Sequence, residues 1–408
     1  MSWLSASLVR VSLLALATRA AASGDGFVLQ MLADPAALCL DGSAGGFYFR
    51  PGQGAASSTW VVELEGGGWC TSLADCQSRA ATDLGSSKAW PATGCPGMDG
   101  GSNGMLSSNC AVNPLCNATM AHFNYCDGGS FASFVEAPVS SGGAPMNLYF
   151  RGASIFNASV AALLAKGMGK ADNIILKGCS AGGLATWLHA DYFFDWMAAA
   201  APGARVVSVP DAGFFMDHNT TAGAPSMTPQ YKWVAQTMST LQTDAGCLAA
   251  HPGGDAWRCF LAQEVLPFVT SPVFATQDLV DSWQMANIFR LPCIGNLSAC
   301  TPAELAAMQQ YRADMLAALA PLTRSATNGA YLSACVQHCH QNIDDVFTKE
   351  MVDKQSVVQT FMRWWTGQGA GSPQVVDGAY GTNKMCFGVP YACGAGMPID
   401  SVSPHKML

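Results

Sequence analysis

Ser180 stands in a sequence pattern that could turn a serine hydroxyl into a nucleophile. It is the centre of Gly178-Cys179-Ser180-Ala181-Gly182, which follows an apolar run at 174–176 and precedes a stretch with helical character. Small residues on either side of a serine permit the sharp strand-to-helix turn that exposes its hydroxyl. The same residues occur in ordinary packing turns, but this context favours a nucleophile elbow.

A serine nucleophile needs a histidine to take its proton and an acid to orient that histidine. In enzymes built on this elbow, both partners follow the serine, on loops after later strands. His189 falls in the elbow's own predicted helix, His218 lies beside a glycosylation motif, and His405 lies in the C-terminal tail. His338 and His340 are the strongest candidates because both follow a predicted strand, and local sequence does not choose between them.

The acid has candidates after two predicted strands. Asp211 and Asp217 follow the first of these strands, and Asp278 and Asp281 follow the second. A carboxylate at such a position is often only a solvated or turn-forming group. The residues alone therefore leave the acid undecided.

A glycine loop could complete the chemistry. Gly66-Gly67-Gly68 follows a strand predicted at 60–65. Its N–H groups could join that of Ala181, at the start of the elbow helix, in binding a developing oxyanion. A plain tight turn is the alternative interpretation. We expect an oxyanion hole made by Gly67, Gly68 and Ala181.

Strands and helices alternate along the chain, which favours a mainly parallel sheet with helices on both faces. Further strands are predicted at 147–150, 205–209 and 272–276, and helices at 155–166, after a capping box at Thr301, and at 357–365. The segment 85–126 is irregular and contains several cysteines, and we predict that it is an insertion held by disulfides.

The N-terminus has the layout of a cleaved signal peptide. An arginine, an apolar run and small residues make up residues 1–22. We therefore expect a secreted protein, extracellular or in a cell wall, whose residues 23–408 form a single domain. No other stretch has the length and apolarity of a membrane span.

Sixteen cysteines fit an oxidising compartment, as do Asn-x-Ser/Thr glycosylation motifs at Asn117, Asn157, Asn219 and Asn296. Short-range candidates for disulfides are Cys70–Cys76, Cys293–Cys300 and Cys386–Cys393, although the sequence does not fix the connectivity. Cys179 is expected to be a buried free thiol, because its place in the elbow points its side chain into the sheet.

Charge and motifs exclude several classes of function. A net charge of −8, with only 12% charged residues, argues against nucleic acid and anionic membranes as partners. His338-Cys339-His340 could suggest a metal, but no paired CxxC or HExxH element completes a site. We expect no metal and no cofactor.

Several blocks, in this order, resemble the pectin acetylesterase family, which also contains the Notum-type carboxylesterases. The blocks are Leu64-Glu65-Gly66-Gly67-Gly68-Trp69-Cys70, Leu84-Gly85-Ser86-Ser87-Lys88, Tyr125-Cys126-Asp127-Gly128, Tyr149-Phe150-Arg151-Gly152-Ala153, Gly178-Cys179-Ser180-Ala181-Gly182-Gly183, Asp211-Ala212-Gly213-Phe214-Phe215 and Asp281-Ser282-Trp283-Gln284. The triple glycine before Trp69 is more similar to the plant members than to Notum.

The resemblance implies an α/β-hydrolase fold and a triad of Ser180, Asp281 and His338. Asp281 lies in what looks like the family's acid motif, and His338 precedes Cys339 as in the family's His-Cys pair. His340 stands where a glutamine is common in the family.

The resemblance also implies a function. It indicates a serine carboxylesterase that hydrolyses O-acetyl esters of a pectin-like polysaccharide through an acyl-enzyme, without a cofactor. Removal of a longer fatty acyl group from a protein or lipid, as in Notum, is the first alternative. A non-catalytic, wall-associated binding protein is the second.

Overall fold

The computed structural model describes residues 26–94, 103–140, 147–367 and 374–379. Nine strands within these residues form a single sheet. The strands are β1 (Val28–Met31), β2 (Gly46–Arg50), β3 (Thr59–Leu64), β4 (Thr119–Phe123), β5 (Asn173–Cys179), β6 (Arg205–Asp211), β7 (Phe274–Asp278), β8 (Gly329–Ser333) and β9 (Gln374–Val376).

The sheet is mainly parallel. Its strand order is β1-β2-β4-β3-β5-β6-β7-β8-β9. The neighbours from β4 to β9 pair in parallel, whereas β1 pairs antiparallel with β2 and β2 pairs antiparallel with β4. Because parallel neighbours end at the same edge, the loops after β3, β5, β6, β7 and β8 meet there.

Helices cover both faces of this sheet. They are α1 (Leu73–Arg79), α2 (Gly152–Ala165), α3 (Ala181–Ala200), α4 (Thr228–Thr237), α5 (Ala245–Ala250), α6 (Ala262–Val265), α7 (Ser282–Asn287), α8 (Pro302–Ala318), α9 (Ala320–Arg324), α10 (Asp344–Lys349) and α11 (Val357–Trp365). Successive strand residues separate into two cores, as the pleat requires. Ile174 and Leu176 pack in the core that contains α2, α3 and α8, while Ile175 packs with α10 and α11.

The predicted fold class is confirmed: strands and helices alternate along the chain, and the sheet is mainly parallel, as in an α/β hydrolase. The strand expected at 60–65 is β3, and the helix expected at 357–365 is α11. Thr301 makes the predicted capping box with Glu304 at the start of α8. Gly167 ends the α2 region with a φ of 110°, a conformation that glycine adopts readily.

Two sequence expectations about strands were wrong or incomplete. Residues 147–150 form no strand; Leu148 makes only an isolated bridge with Val139. The segment 85–126, expected to be irregular, contains β4, which lies between β2 and β3 inside the sheet. No helix of the described residues is long and apolar enough to cross a membrane.

Candidate active site

Ser180 occupies a sharp turn between β5 and α3. Its φ of 59° and ψ of −126° lie outside the regions that non-glycine residues usually adopt. The Ser180 N–H donates to the Asp211 carbonyl at the end of β6 (3.0 Å), and the Ser180 carbonyl accepts from Leu184 N–H in the first turn of α3 (2.8 Å). The backbone around the predicted nucleophile is therefore held from both sides.

The small residues of the elbow are required by close backbone approaches. A Cβ on Gly178 would lie 2.3 Å from the Gly182 carbonyl oxygen, and a Cβ on Gly182 would lie 2.0 Å from that of Leu64. A Cβ on Gly183 would lie 2.3 Å from the Asp211 carbonyl oxygen. The Gly-x-Ser-x-Gly pattern thus lets α3 begin directly against the ends of β3 and β6.

Asp281 and His338 form a buried pair. Asp281 Oδ2 and His338 Nδ1 are 2.6 Å apart, and both side chains are fully buried. The other carboxylate oxygen of Asp281 accepts the Gln284 N–H at 2.9 Å, so that Asp281 also caps α7. This second bond fixes the carboxylate so that it can orient the imidazole.

A disulfide connects the elbow to the histidine loop. Cys179, the residue before Ser180, is bonded to Cys339, the residue after His338. The expectation that Cys179 is a free thiol was therefore wrong. Its side chain does point into the protein, but the loop after β8 passes there and brings the Cys339 sulfur to it. The bridge holds Ser180 and His338 on adjoining segments of backbone.

Gln284 connects the acid loop to the loop after β6. Its Oε1 accepts the Met216 N–H at 3.1 Å and the Tyr311 hydroxyl at 2.8 Å, and its Nε2 donates to the Phe214 carbonyl at 3.0 Å. Sequence reasoning did not single out Gln284 as a functional residue. Its place in the Asp-Ser-Trp-Gln block was the available signal.

The glycine loop lies directly beside the elbow. A Cβ on Gly66 would lie 3.0 Å from Ser180 Cβ. Arg79 Nη1 donates to the Gly67 carbonyl (2.8 Å) and the Tyr125 hydroxyl donates to the Gly68 carbonyl (2.7 Å). The Gly67 carbonyl and the Gly68 N–H belong to one trans peptide and point in opposite directions, so the bond from Arg79 also fixes where the Gly68 N–H points.

The N–H groups of Gly67, Gly68 and Ala181 make no hydrogen bond among the described residues. Gly67 and Gly68 have φ values of 138° and 66°, which favour glycine at both positions. Donors that are unpaired in the resting protein can accept an oxyanion without first breaking another bond. The geometry supports the predicted oxyanion hole.

An aromatic cluster flanks the triad. Its members pack edge to face around Trp69, with ring centroids 5.0–6.3 Å from it, and they are Phe215, Tyr231, Phe260 and Trp283. Phe215 also lies 6.2 Å from the His338 ring. The Trp69 indole donates to Ser130 Oγ at 2.7 Å, which fixes its orientation.

The rival histidines have other surroundings. His189 is stacked on Phe156 inside α3, where burial lowers its pKa to about 4. His218 is half-buried beside Asp314, at 3.2 Å. His340 is buried next to Glu350, Asp278 and Asp211 rather than Asp281. His405 lies outside the described residues.

The rival acids are engaged elsewhere too. Asp211 accepts hydrogen bonds from Thr276 Oγ1 (2.6 Å) and the Gln341 N–H (2.7 Å). Burial would raise the pKa of Asp211, but the nearby His340 and these hydrogen bonds lower it. Asp217 is exposed and accepts from the Thr228 hydroxyl. Among the four candidates, the structure places Asp281 against His338.

The predicted disulfides Cys70–Cys76 and Cys293–Cys300 are confirmed, whereas the suggested Cys386–Cys393 pair lies outside the described residues. The segment 85–126 is held by Cys110–Cys116 and by Cys126, which is bonded to Cys39.

Similarity to known proteins agrees with this geometry. A family model described as pectinacetylesterase matches residues 19–387. The chain belongs to the pectinacetylesterase family. Pectin acetylesterase 11 of Arabidopsis thaliana is 35% identical over 351 residues, which are 83% of this chain and 86% of the relative. Pectin acetylesterase 5 of the same plant is 31% identical, over 87% of this chain and 83% of the relative.

Notum proteins are further relatives of this pectinacetylesterase-family chain. The mouse palmitoleoyl-protein carboxylesterase NOTUM is 30% identical over 279 residues, which are 63% of this chain and 50% of that protein. The solved structure of the Drosophila Wnt deacylase Notum superposes with a TM-score of 0.75 at 23% identity, covering 88% of this chain and 99% of that one. The fold is that of an α/β hydrolase, and the protein is a carboxylic ester hydrolase.

Proposed function

We propose that this pectinacetylesterase-family protein is a secreted serine esterase that releases acetate from an O-acetylated, pectin-like polysaccharide. The predicted signal peptide at 1–22 would export it to the extracellular space or cell wall, with 23–408 as the working domain. The observation that carries the proposal is the 2.6 Å contact between Asp281 and His338, on a loop bonded to the residue before Ser180.

The first half of the reaction acylates the enzyme. Asp281 occupies Nδ1 of His338, so Nε2 is the nitrogen that takes the Ser180 proton. Ser180 Oγ attacks the acetyl carbonyl, and the N–H groups of Gly67, Gly68 and Ala181 bind the oxyanion that forms. Collapse of this intermediate expels the sugar alcohol, which takes the proton from His338.

The second half releases acetate. His338 removes a proton from a water molecule, which attacks the acetyl-enzyme carbonyl. The same N–H groups stabilise the second oxyanion, and acetate leaves as Ser180 regains its proton. Every proton passes through His338, and the reaction needs no cofactor.

The aromatic cluster supports a short acyl group. Trp69, Phe215 and Trp283 pack against one another beside His338, and each is at most 8% exposed. Side chains packed in this way fill space that a long acyl chain would require. A Notum-like reaction on a longer acyl group is the second candidate, favoured by the similarity to the palmitoleoyl-protein carboxylesterases.

A panel of polymers tests the substrate. Acetate release is measured on acetylated pectin, xylan and mannan, with Ser180→Ala as the blank. We expect the highest kcat/KM on pectin. Equal rates on the three polymers would contradict pectin specificity and leave the esterase activity in place.

A chain-length series tests the acyl group. Rates on p-nitrophenyl acetate, butyrate, octanoate and palmitate are compared for the wild type. We expect the acetate ester to be hydrolysed fastest. A preference for eight carbons or more would support the Notum-like reaction instead.

We further propose that the glycosylation motifs carry glycans. Asn117, Asn219 and Asn296 are exposed, whereas Asn157 is half-buried and bonded to Gln242 and Tyr192. Mass spectrometry before and after enzymatic deglycosylation checks each site. We expect the highest occupancy at the three exposed asparagines.

A further inference from the structure

A second buried histidine site is formed partly by the segments that carry His338 and Asp281. His340 is buried at the centre of three carboxylates that come from separate parts of the chain. Its Nε2 lies 2.9 Å from Glu350 Oε1 and 3.3 Å from Asp278 Oδ1, and its Nδ1 lies 3.8 Å from Asp211 Oδ1. All four side chains are 0% exposed.

Two carboxylates of this site, Asp278 and Glu350, have oxygens without a hydrogen-bond partner among the described residues. Both oxygens of Asp278 and Oε2 of Glu350 accept no hydrogen bond from any residue that the structure describes. An unsatisfied carboxylate in a dry interior is costly unless a cation neutralises it. Three carboxyl groups therefore face a single imidazole at this site.

The donor atoms have the spacing of metal ligands. Two ligands of a tetrahedral ion with bonds of about 2.0–2.1 Å lie about 3.3 Å apart. His340 Nε2 is 3.3 Å from Asp278 Oδ1 and 2.9 Å from Glu350 Oε1. Each of the three residues offers one ligand atom, and these three atoms all lie within 4.8 Å of one another. One nitrogen and two carboxylate oxygens form a donor set that suits zinc.

The surroundings also match a metal-bound histidine. A ligating histidine usually donates its other ring N–H to a carboxylate, which sets the tautomer. Asp211 faces Nδ1 of His340, and Thr276 and the Gln341 N–H hold Asp211 in place. The other histidine-containing cluster, around His338, offers no such site because Cys179 and Cys339 are bonded to each other.

We propose that His340 Nε2, Asp278 and Glu350 bind one divalent cation, with zinc as the ion that the donor set fits best. On binding, His340 releases its Nε2 proton and keeps the proton on Nδ1, which faces Asp211 Oδ1 at 3.8 Å. The two positive charges of the ion balance the Asp278 and Glu350 carboxylates. The ion joins the end of β7, the residue after α10 and the loop that carries His338, and its role is structural because the site is closed to solvent.

Metal content tests the site without relying on activity. The protein is purified without chelators, and its metals are measured by inductively coupled plasma mass spectrometry. We expect about one equivalent of zinc per chain. A His340→Gln variant should lose at least about nine-tenths of it. His251→Gln is the matched control, because His251 also faces a glutamate, Glu264 at 3.4 Å, but near the surface.

A second measurement covers the case in which His340→Gln does not fold. The wild type is unfolded in guanidinium chloride with EDTA, disulfides intact, and refolded with or without added zinc, manganese or calcium. A Tm that rises with the concentration of one of these ions supports the site and identifies the ion. Less than about a tenth of an equivalent of any divalent metal, together with a Tm unaffected by all three ions, would overturn the proposal.

Discussion

Cys179 and Cys339 are bonded to each other, which joins the residue before Ser180 to the residue after His338. The two cysteines are 160 residues apart in sequence. The same bond therefore closes a long chain loop and fixes the spacing between the proposed nucleophile and its base.

Removing this bridge with Cys179→Ala and Cys339→Ala should cost both stability and rate. Loop-closure entropy predicts a loss of about 3–5 kcal/mol in the free energy of unfolding. Without the bond, the loop that carries His338 would be displaced, and we therefore expect kcat to fall by about 10²-fold. Guanidinium titration and acetate release measure the two effects.

The matched control removes Cys293 and Cys300, which are 7 residues apart on the surface. Loop-closure entropy predicts a smaller loss there, about 2 kcal/mol, with kcat unchanged. Equal effects on kcat in the two double variants would show that the Cys179–Cys339 bridge does not position the site.

Asp281→Asn separates orientation of the histidine from folding. Asparagine also serves as a helix N-cap, so α7 and the unfolding free energy should change little. The amide favours the wrong tautomer of His338, and kcat should fall by about 10⁴-fold. The control is Asp217→Asn, an exposed rival acid, which should keep wild-type kcat. If kcat fell equally in both variants, or in neither, Asp281 would not be the acid of the proposed triad.

Gly66→Ala probes the glycine loop. The added Cβ would lie 2.5 Å from the Cys179 carbonyl oxygen and 3.0 Å from Ser180 Cβ, so the backbone must shift. We expect kcat to fall by about 10²-fold and stability by about 1–3 kcal/mol. Gly203→Ala is the comparison, because a Cβ there meets no atom within 4 Å. Wild-type kcat in Gly66→Ala would contradict the placement of the oxyanion loop.

Acid should destabilise the protein partly through Glu63. Burial opposes the charge of Glu63, but Lys177 Nζ at 2.6 Å and His122 at 2.9 Å outweigh it and lower its pKa from 4.5 to about 2. The folded pKa lies below the unfolded one, so the stabilisation is present above pH 4.5 and is lost as the pH falls to 2. Its size is about 3 kcal/mol.

Urea titrations at pH 7 and pH 3 check this. Glu63→Gln should be less stable than the wild type at pH 7, and the difference should shrink at pH 3. Glu65 gives the opposite sign, because burial raises its pKa to about 7, so the stabilisation it contributes is present below pH 4.5 and is lost as the pH rises to 7. A Glu63→Gln difference that does not change with pH would be the contrary result.

Local chemistry made part of the site predictable. The elbow at Ser180 and the cap at Thr301 depend on backbone geometry within a few residues, which the sequence displays directly. Asp281 and His338 needed the resemblance, because their contact joins two loops that are far apart in sequence. β4 was missed because its Thr119–Phe123 segment is short and is fixed only by pairing with β2 and β3.

Long-range contacts account for the remaining errors. The Cys179 side chain was expected to be buried and it is, but its partner Cys339 comes from the loop after β8. The carboxylates around His340 are likewise supplied by β7 and by the end of α10. Neither contact leaves a spacing signal in the sequence, so neither could be predicted from it.

Mutation of Ser180 tests the central claim most directly. Purified wild type and Ser180→Ala are compared for acetate release from acetylated pectin and for labelling by a fluorophosphonate, with the labelled peptide identified by mass spectrometry. We expect the label on Ser180, no label in the variant, and turnover lower by about six orders of magnitude. Wild-type acetate release by Ser180→Ala, or labelling of another serine, would contradict the account.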